Sequence, residues 1–416
     1  MLNGAFPAAP VRPLGRARGA AIALPQAHGV HVAVRWAFYL FVLSLPFEYP
    51  RRTIPWEVTT ISCALFLLTA LFQPRITFAR IPWAVRWFAL YLYVLLGAFV
   101  VDGGHYGDQV QKLFVLLLEA VLLLWAASNV LRYEDVTRGA LLALGVACVV
   151  RAGIQLAGIS TERVTEWTGG VRVLAMGQNE NHSSMIMSAG LVALLGLAYG
   201  QSRTPAWARL LTWPAVGAIA IAVVQNGSRG GFLALAAGIA ALTLGGRSLG
   251  VRIRNGVVLL VAFGFLGWTT FQSEGMRNRL LQSAETGFMA GRERIYPTAV
   301  RMILERPLTG WGPVNNMYQL GNRLPEQHVP RRDTHNLVLE VGTSTGFLGL
   351  LPFFVGTCLC LLDAWRARRT IEGTLPFAIL MVMLVSNMSG NWIATPLLWL
   401  AFAYALAGGR RPALAT

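Results

Sequence analysis

Apolar residues run along this chain in long blocks separated by short polar breaks. The blocks fall near 31–47, 57–73, 82–101, 110–130, 139–157, 182–200, 207–224, 230–246, 255–271, 335–361, 374–390 and 391–407. A helix needs about 20 apolar residues to cross a hydrocarbon core, so each block predicts a membrane-crossing helix. The expected fold is an all-α polytopic membrane protein of about twelve transmembrane helices. One connection stands apart. Residues 272–334 form a 63-residue segment, too long to be a simple link. Within it, 292–306 places Ile295, Ala299, Met302 and Ile303 at helical spacing, with Arg294, Arg301 and Glu305 elsewhere around the helix. That spacing predicts an amphipathic helix that lies along a surface or caps a cavity.

Composition narrows the class. Of 416 residues, 55% are apolar and only 13% charged, against about 45–50% and roughly 25% in soluble domains. A water-soluble enzyme is excluded. The net charge is +16, and Lys112 is the only lysine. The arginines fall in clusters between the blocks, which reads as membrane topology and not as nucleic-acid binding. With a cytoplasmic N-terminus, the cytoplasmic side holds seventeen arginines and the opposite short loops five: Arg51, Arg52, Arg163, Arg172 and Arg229. Both termini are therefore expected in the cytoplasm. The expected divisions are a basic tail at 1–30 (not a removable signal peptide), helices over 31–271, an outer loop at 272–334, helices over 335–407 and a tail at 408–416. The four cysteines (Cys63, Cys148, Cys358, Cys360) lie inside apolar blocks without metal-ligand spacing and read as packed thiols.

Candidate chemistry gathers on the outer face. GGVRVLAMGQNENHSS offers Arg172, Asn179, Asn181 and His182 just before a helix, and NGSRGGF places Arg229 on a glycine-flanked turn at a helix start. A helix N-terminus favours an anion. GRERIYP sets Arg292 just inside another helix, and RRDTHNLVLE puts Arg331, Arg332, His335 and Asn336 at the mouth of the tenth block. Each alone also fits an interfacial anchor.

Together, RVLAMGQNENHSS, NGSRGG, GRERIYPTAVRMILERPLTGWG and THNLVLEVGTSTGFLGLL resemble the O-antigen ligase and polymerase superfamily of bacterial envelope glycosyltransferases. The chain differs in carrying Gln-Asn-Glu-Asn where the family more often has Asn-Pro-Asn. The resemblance implies a C-type glycosyltransferase-like fold in the bacterial inner membrane, with a large helical periplasmic loop and a periplasmic active site. It implies transfer of an O-antigen glycan from an undecaprenyl-pyrophosphate carrier to a lipid A–core hydroxyl. Polymerase activity on a second lipid-linked glycan is the alternative, and a lipid-linked sugar transporter a more distant one. Neither a cofactor nor a metal is implied, and the expected partners are donor, acceptor and membrane lipids.

The physics of such a site leads to definite roles. A pyrophosphate leaving group gathers negative charge that must be neutralised. The outer face shows scattered acids (Asp102, Asp108, Glu162, Glu166, Asp333) but no Asp-x-Asp pair, and it has arginines in excess. Arginine stays charged and binds phosphate oxygens through two donors. Arg172, Arg229 and Arg292 are therefore expected to bind pyrophosphate, without metal. His335 is the base candidate, since neutral imidazole accepts a proton near pH 7; a phosphate-binding role stays open. Lys112, Arg151, Asn181, Arg331, Arg332 and Asn336 are accessory candidates. Glu119 and Arg151 lie at similar depths inside blocks, and buried charge is costly, so the two are expected to pair.

Overall fold

The computed structural model describes residues 29–47, 58–165, 171–200, 206–244, 249–287, 289–324, 329–370 and 372–411. Of the two expected tails, residues 1–28 and 412–416 lie outside these, as do Arg51, Arg52 and Glu166. Helices dominate. In order they are α1 (Val32–Ser44), α2 (Val58–Ala70), α3 (Pro74–Thr77), α4 (Trp83–Val101), α5 (Gly107–Val130), α6 (Glu134–Leu156), α7 (Glu180–Gly200), α8 (Ala206–Gln225) and α9 (Arg229–Thr243). The second half adds α10 (Leu249–Gln272), α11 (Glu274–Thr286), α12 (Arg292–Glu305), α13 (Asn315–Asn322), α14 (Leu337–Arg366), α15 (Leu375–Ser386) and α16 (Pro396–Gly408). Between α6 and α7 a hairpin pairs β1 (Thr161–Thr165) antiparallel with β2 (Val171–Ala175).

Among the described residues, six helices are long and apolar enough to cross a membrane: α4, α5, α6, α14 and most of α7 and α10. Six shorter apolar helices of 10–17 residues lie in α1, α2, α8, α9, α15 and α16. The chain is an integral membrane protein. Its central post is α7, 89% buried over its apolar window, whereas α10 is only 17% buried and lies at the edge. α7 packs on α6, α8, α9 and α15. Close approach depends on small residues: a Cβ on Gly190 of α7 would overlap Cys148 of α6, and one on Gly238 of α9 would overlap Val382 of α15.

The long connection is more structured than its sequence suggests. The amphipathic helix forms as α12, with Ile295, Thr298, Ala299 and Met302 buried. Ile295 and Met302 join Leu320 and Leu324 in a small separate core, with Tyr296 and Trp311 packed on it. α11 and α13 were not expected. α11 is polar and α13 only eight residues long, so neither carries an apolar pattern long enough to announce it.

The tenth block is not one continuous helix. Gly346 sits at φ 59°, ψ −161°, inside α14. The segment 307–311 enters this break and replaces the missing helical bonds with main-chain ones. Phe347 N donates to Pro307 O at 2.7 Å, Leu348 N to Leu308 O at 3.2 Å and Trp311 N to Thr343 O at 2.8 Å. Buried backbone groups must be satisfied, and the strap does this. Both positive-φ glycines of the joint are forced: a Cβ on Gly346 would strike the Leu308 backbone, and one on Gly310 the backbone at 343–346.

The expected Glu119–Arg151 pair does not form. Arg151 is buried and donates to Pro46 O (3.1 Å), Met176 Sδ (3.4 Å), Ala175 O (3.0 Å) and Ser183 Oγ (3.1 Å). Glu119 faces Cys63 instead. Similar depth does not fix the direction in which a helix points a side chain, and the buried carbonyls of Pro46 and Ala175 satisfy the guanidinium instead.

Candidate active site

The site is built where four helix ends meet a loop. Asn336 caps α14, its Oδ1 accepting from Val338 N (2.9 Å) and Leu339 N (3.2 Å). Just before it, Thr334 is tied down into the protein by Glu340, whose Oε2 accepts from Thr334 Oγ1 at 3.0 Å. Glu340 Oε1 accepts from Asn316 of α13 at 2.7 Å. The residue between these anchors, His335, is held at φ 50° and half-buried. Asp333 Oδ1 accepts from the His335 backbone N–H and lies 3.2 Å from its Nδ1. Burial is the main cause that pushes the imidazole pKa below its ordinary value; Asp333 pulls it up, while Arg292 and Arg332 push it further down. The balance leaves a neutral ring at neutral pH.

The loop between α15 and α16 supplies a row of carbonyls. Asn387 O accepts from Leu337 N at 2.9 Å. Met388 O accepts from the Tyr296 hydroxyl at 2.9 Å and from Asn336 Nδ2 at 3.4 Å. Ser389 O accepts from Arg292 Nη2 at 2.8 Å. Arg292 opens α12 and also reaches Met289 O at 3.2 Å. Burial raises the Tyr296 hydroxyl pKa, against the lowering effect of Arg292, so Tyr296 remains a donor.

Arg229 opens α9 behind the cap Ser228, whose hydroxyl accepts from Gly231 N (3.0 Å) and meets Asn181 Oδ1 at 2.6 Å. The Arg229 guanidinium donates to Ser283 of α11. Its neighbour Gly230 is pressed so closely on Ser389 that a Cβ would overlap the serine hydroxyl. Arg292 and the start of α9 at Gly230 thus meet the same loop, while the Arg229 guanidinium turns to α11. Nearby, His182 faces Trp392 with ring centroids 5.0 Å apart. Three buried donors around this loop have no hydrogen-bond partner: Arg292 Nε, Arg332 Nε and Trp392 Nε1. Native proteins leave few such groups, and an anionic or hydroxyl-bearing ligand is what they suit.

The fold therefore joins Arg229, Arg292, Asn181, His335 and Asn336, with half-buried Arg332 beside them. Others stand apart. Lys112 on α5 and Arg331 are exposed. Arg151 lies one layer below, linked through Ser183 to Asn226 (3.4 Å). Arg172 is in β2 opposite Val164; its side chain lies outside the described residues. Sequence reasoning missed Tyr296, the Asp333–His335 contact and the whole 387–392 loop. The polar Asn387, Ser389 and Asn391 inside a long apolar stretch were the available signal for that loop.

The family described as O-antigen ligase matches residues 214–354. The match spans about a third of the chain and likens that part of it to the O-antigen ligases. The matched stretch covers Arg229, Arg292, Arg331, Arg332, His335 and Asn336, and it includes α12 and the strap. No curated protein matches the chain.

Proposed function

We propose that this protein transfers O-antigen glycan from an undecaprenyl-pyrophosphate carrier to a lipid A–core sugar hydroxyl. All twelve apolar helices cross the inner membrane in this reading, with both termini cytoplasmic and the site periplasmic. The short helices need not match the full hydrocarbon thickness, because each packs beside others: α16 on α5, α15 on α9, α1 on α2 and α6.

The observation that carries the reading is Arg292 bonded to Ser389 O, with α9 pressed on the same serine at Gly230, next to Arg229, and with half-buried His335, its pKa lowered, joined to α12 through Tyr296. Two guanidiniums neutralise the charge that grows on the pyrophosphate as the glycosidic bond breaks. His335 Nε2 accepts the proton of the attacking hydroxyl, while Asp333 at Nδ1 fixes the tautomer and stabilises the imidazolium that forms. A single displacement inverts the anomeric configuration. Arginine takes the place of a divalent cation here. The acids beside these residues are already engaged, Asp333 by His335, Glu340 by Thr334 and Asn316, and Glu293 by Met289 N.

The test is transfer by the purified protein in nanodiscs, with lipid-linked glycan and lipid A–core, in excess chelator. Labelled glycan should appear on lipid A–core with inverted linkage and without added metal. Elongation of the lipid-linked glycan with no lipid A product would assign polymerase activity instead. Activity abolished by chelator and restored by Mg²⁺ would refute the arginine clamp.

A further inference from the structure

A second cluster lies where the α4–α5 turn meets α13, whose Met317 O accepts from Arg332 N. The α4–α5 turn ends in Tyr106, held at φ 58° in the left-handed region that a bulky residue rarely adopts. Its ring stacks on that of Tyr318, on α13, with centroids 4.1 Å apart and planes 6° from parallel. His105 continues the row at 6.4 Å, its side chain 61% exposed. Gln109 Nε2 reaches the Tyr318 hydroxyl at 3.4 Å, and its Oε1 is buried without a partner. Asp102, bonded to Asn315, fastens the turn to α13. The residue before Tyr318, Met317, accepts from Arg332 N at 3.0 Å, which places the row next to the 332–336 segment.

We infer that His105, Tyr106 and Tyr318 form a saccharide platform that seats the acceptor oligosaccharide, with Gln109 as its hydroxyl-binding edge. The inference rests on the glycosyl-transfer reading and adds the acceptor's place to it. Flat aromatic faces suit the C–H faces of pyranose rings, and an amide with a free acceptor suits their hydroxyls. An aromatic residue that merely anchors a helix at the membrane surface needs neither a partner ring from a distant helix nor a strained backbone. The position separates acceptor from donor. A base that deprotonates the acceptor hydroxyl must touch the acceptor; the row adjoins the 332–336 segment through Met317 O, whereas Arg292 is tied to Ser389 of the α15–α16 loop.

Tyr106→Gly gives a clean test, because glycine accepts the left-handed backbone and only the ring is lost. In nanodiscs, Tyr106→Gly and Tyr318→Ala should raise the acceptor KM about 3- to 10-fold, the scale of one aromatic contact. Donor KM, kcat and melting temperature should stay near native. Tyr106→Phe should keep near-native acceptor KM, and Tyr93→Ala, an exposed tyrosine of α4 outside the cluster, should change nothing. In parallel, saturation-transfer NMR with delipidated core oligosaccharide should show binding to native protein that Tyr106→Gly weakens, without any donor present. Unchanged acceptor KM and unchanged oligosaccharide binding would reduce the row to a surface anchor. A rise in donor KM in its place would assign the row to the donor glycan and overturn the proposal. Oligosaccharide binding that depends on Tyr106, in a protein that transfers nothing to lipid A–core, would leave the platform standing and sink the transfer reading.

Discussion

Arg292→Ala is the most informative single change. The side chain makes a part-buried bond to Ser389 O at 2.8 Å and a more exposed one to Met289 O at 3.2 Å, and its buried Nε has no partner among the described residues. Hydrogen bonds involving a charged group are worth about 1.5–3 kcal/mol. One lost contact to the leaving pyrophosphate therefore lowers transfer about 10- to 150-fold, at 1.36 kcal/mol per tenfold. The Met289 bond adds little, since water replaces it. Lysine keeps the charge but offers one ammonium in place of a planar fork. It can serve Ser389 or the phosphate, and not both in the same geometry, so Arg292→Lys should stay about 3- to 10-fold below native. The assay pairs lipid-linked donor binding with kcat/KM in nanodiscs, and a thermal melt monitors loss of the Ser389 tie. If Arg292→Ala binds donor and transfers glycan within threefold of native, the arginine is only a brace between α12 and the α15–α16 loop, and the clamp reasoning fails.

Two further outcomes follow from the same geometry. His335 acts as base when neutral, so kcat/KM should rise with pH through its pKa. Asp333→Asn removes the charge that raises that pKa and should move the acid limb to lower pH, whereas Arg332→Gln removes a lowering charge and should move it higher; shifts in the same direction would contradict the assignment. Gly346→Ala should destabilise the protein strongly and lower activity with it, since a Cβ there meets the Leu308 backbone at a positive φ, whereas Gly264→Ala on α10, where a Cβ meets nothing, should leave the melt unchanged.

How much of this was legible depended on the kind of signal. The apolar helices announced themselves because membrane crossing demands long apolar runs, and α12 because its buried residues recur at helical spacing. Arg229, Arg292, His335 and Asn336 were marked by glycine-flanked or capping positions at helix starts. What stayed hidden was carried by backbone or by helix rotation. The break at Gly346 follows the polar Thr343–Ser344–Thr345 inside a block read as one helix, and the strap that fills it uses main-chain bonds that no side-chain pattern records. The α15–α16 loop vanished between two blocks read as abutting. Arg151 was assigned to Glu119 on depth alone, although its partners are carbonyls of Pro46 and Ala175.

The joint between the strap and α14 makes the upper part of that helix belong to the cap as much as to the bundle. His335 and Asn336 stand at one end of this upper part, and α12, with Arg292 at its start, leads directly into the strap. His335 and Arg292 are thereby mounted on one piece of framework, whose main-chain bonds add to the Tyr296 bridge and the small core under α12 in setting their spacing. Such a mounting tolerates exchange of the side chains around it, provided the turn-forming glycines stay. A redesign of the outer surface could vary Leu308 or Thr309 freely and would still hold the histidine at its distance from the arginine; a single methyl group at Gly310 would not.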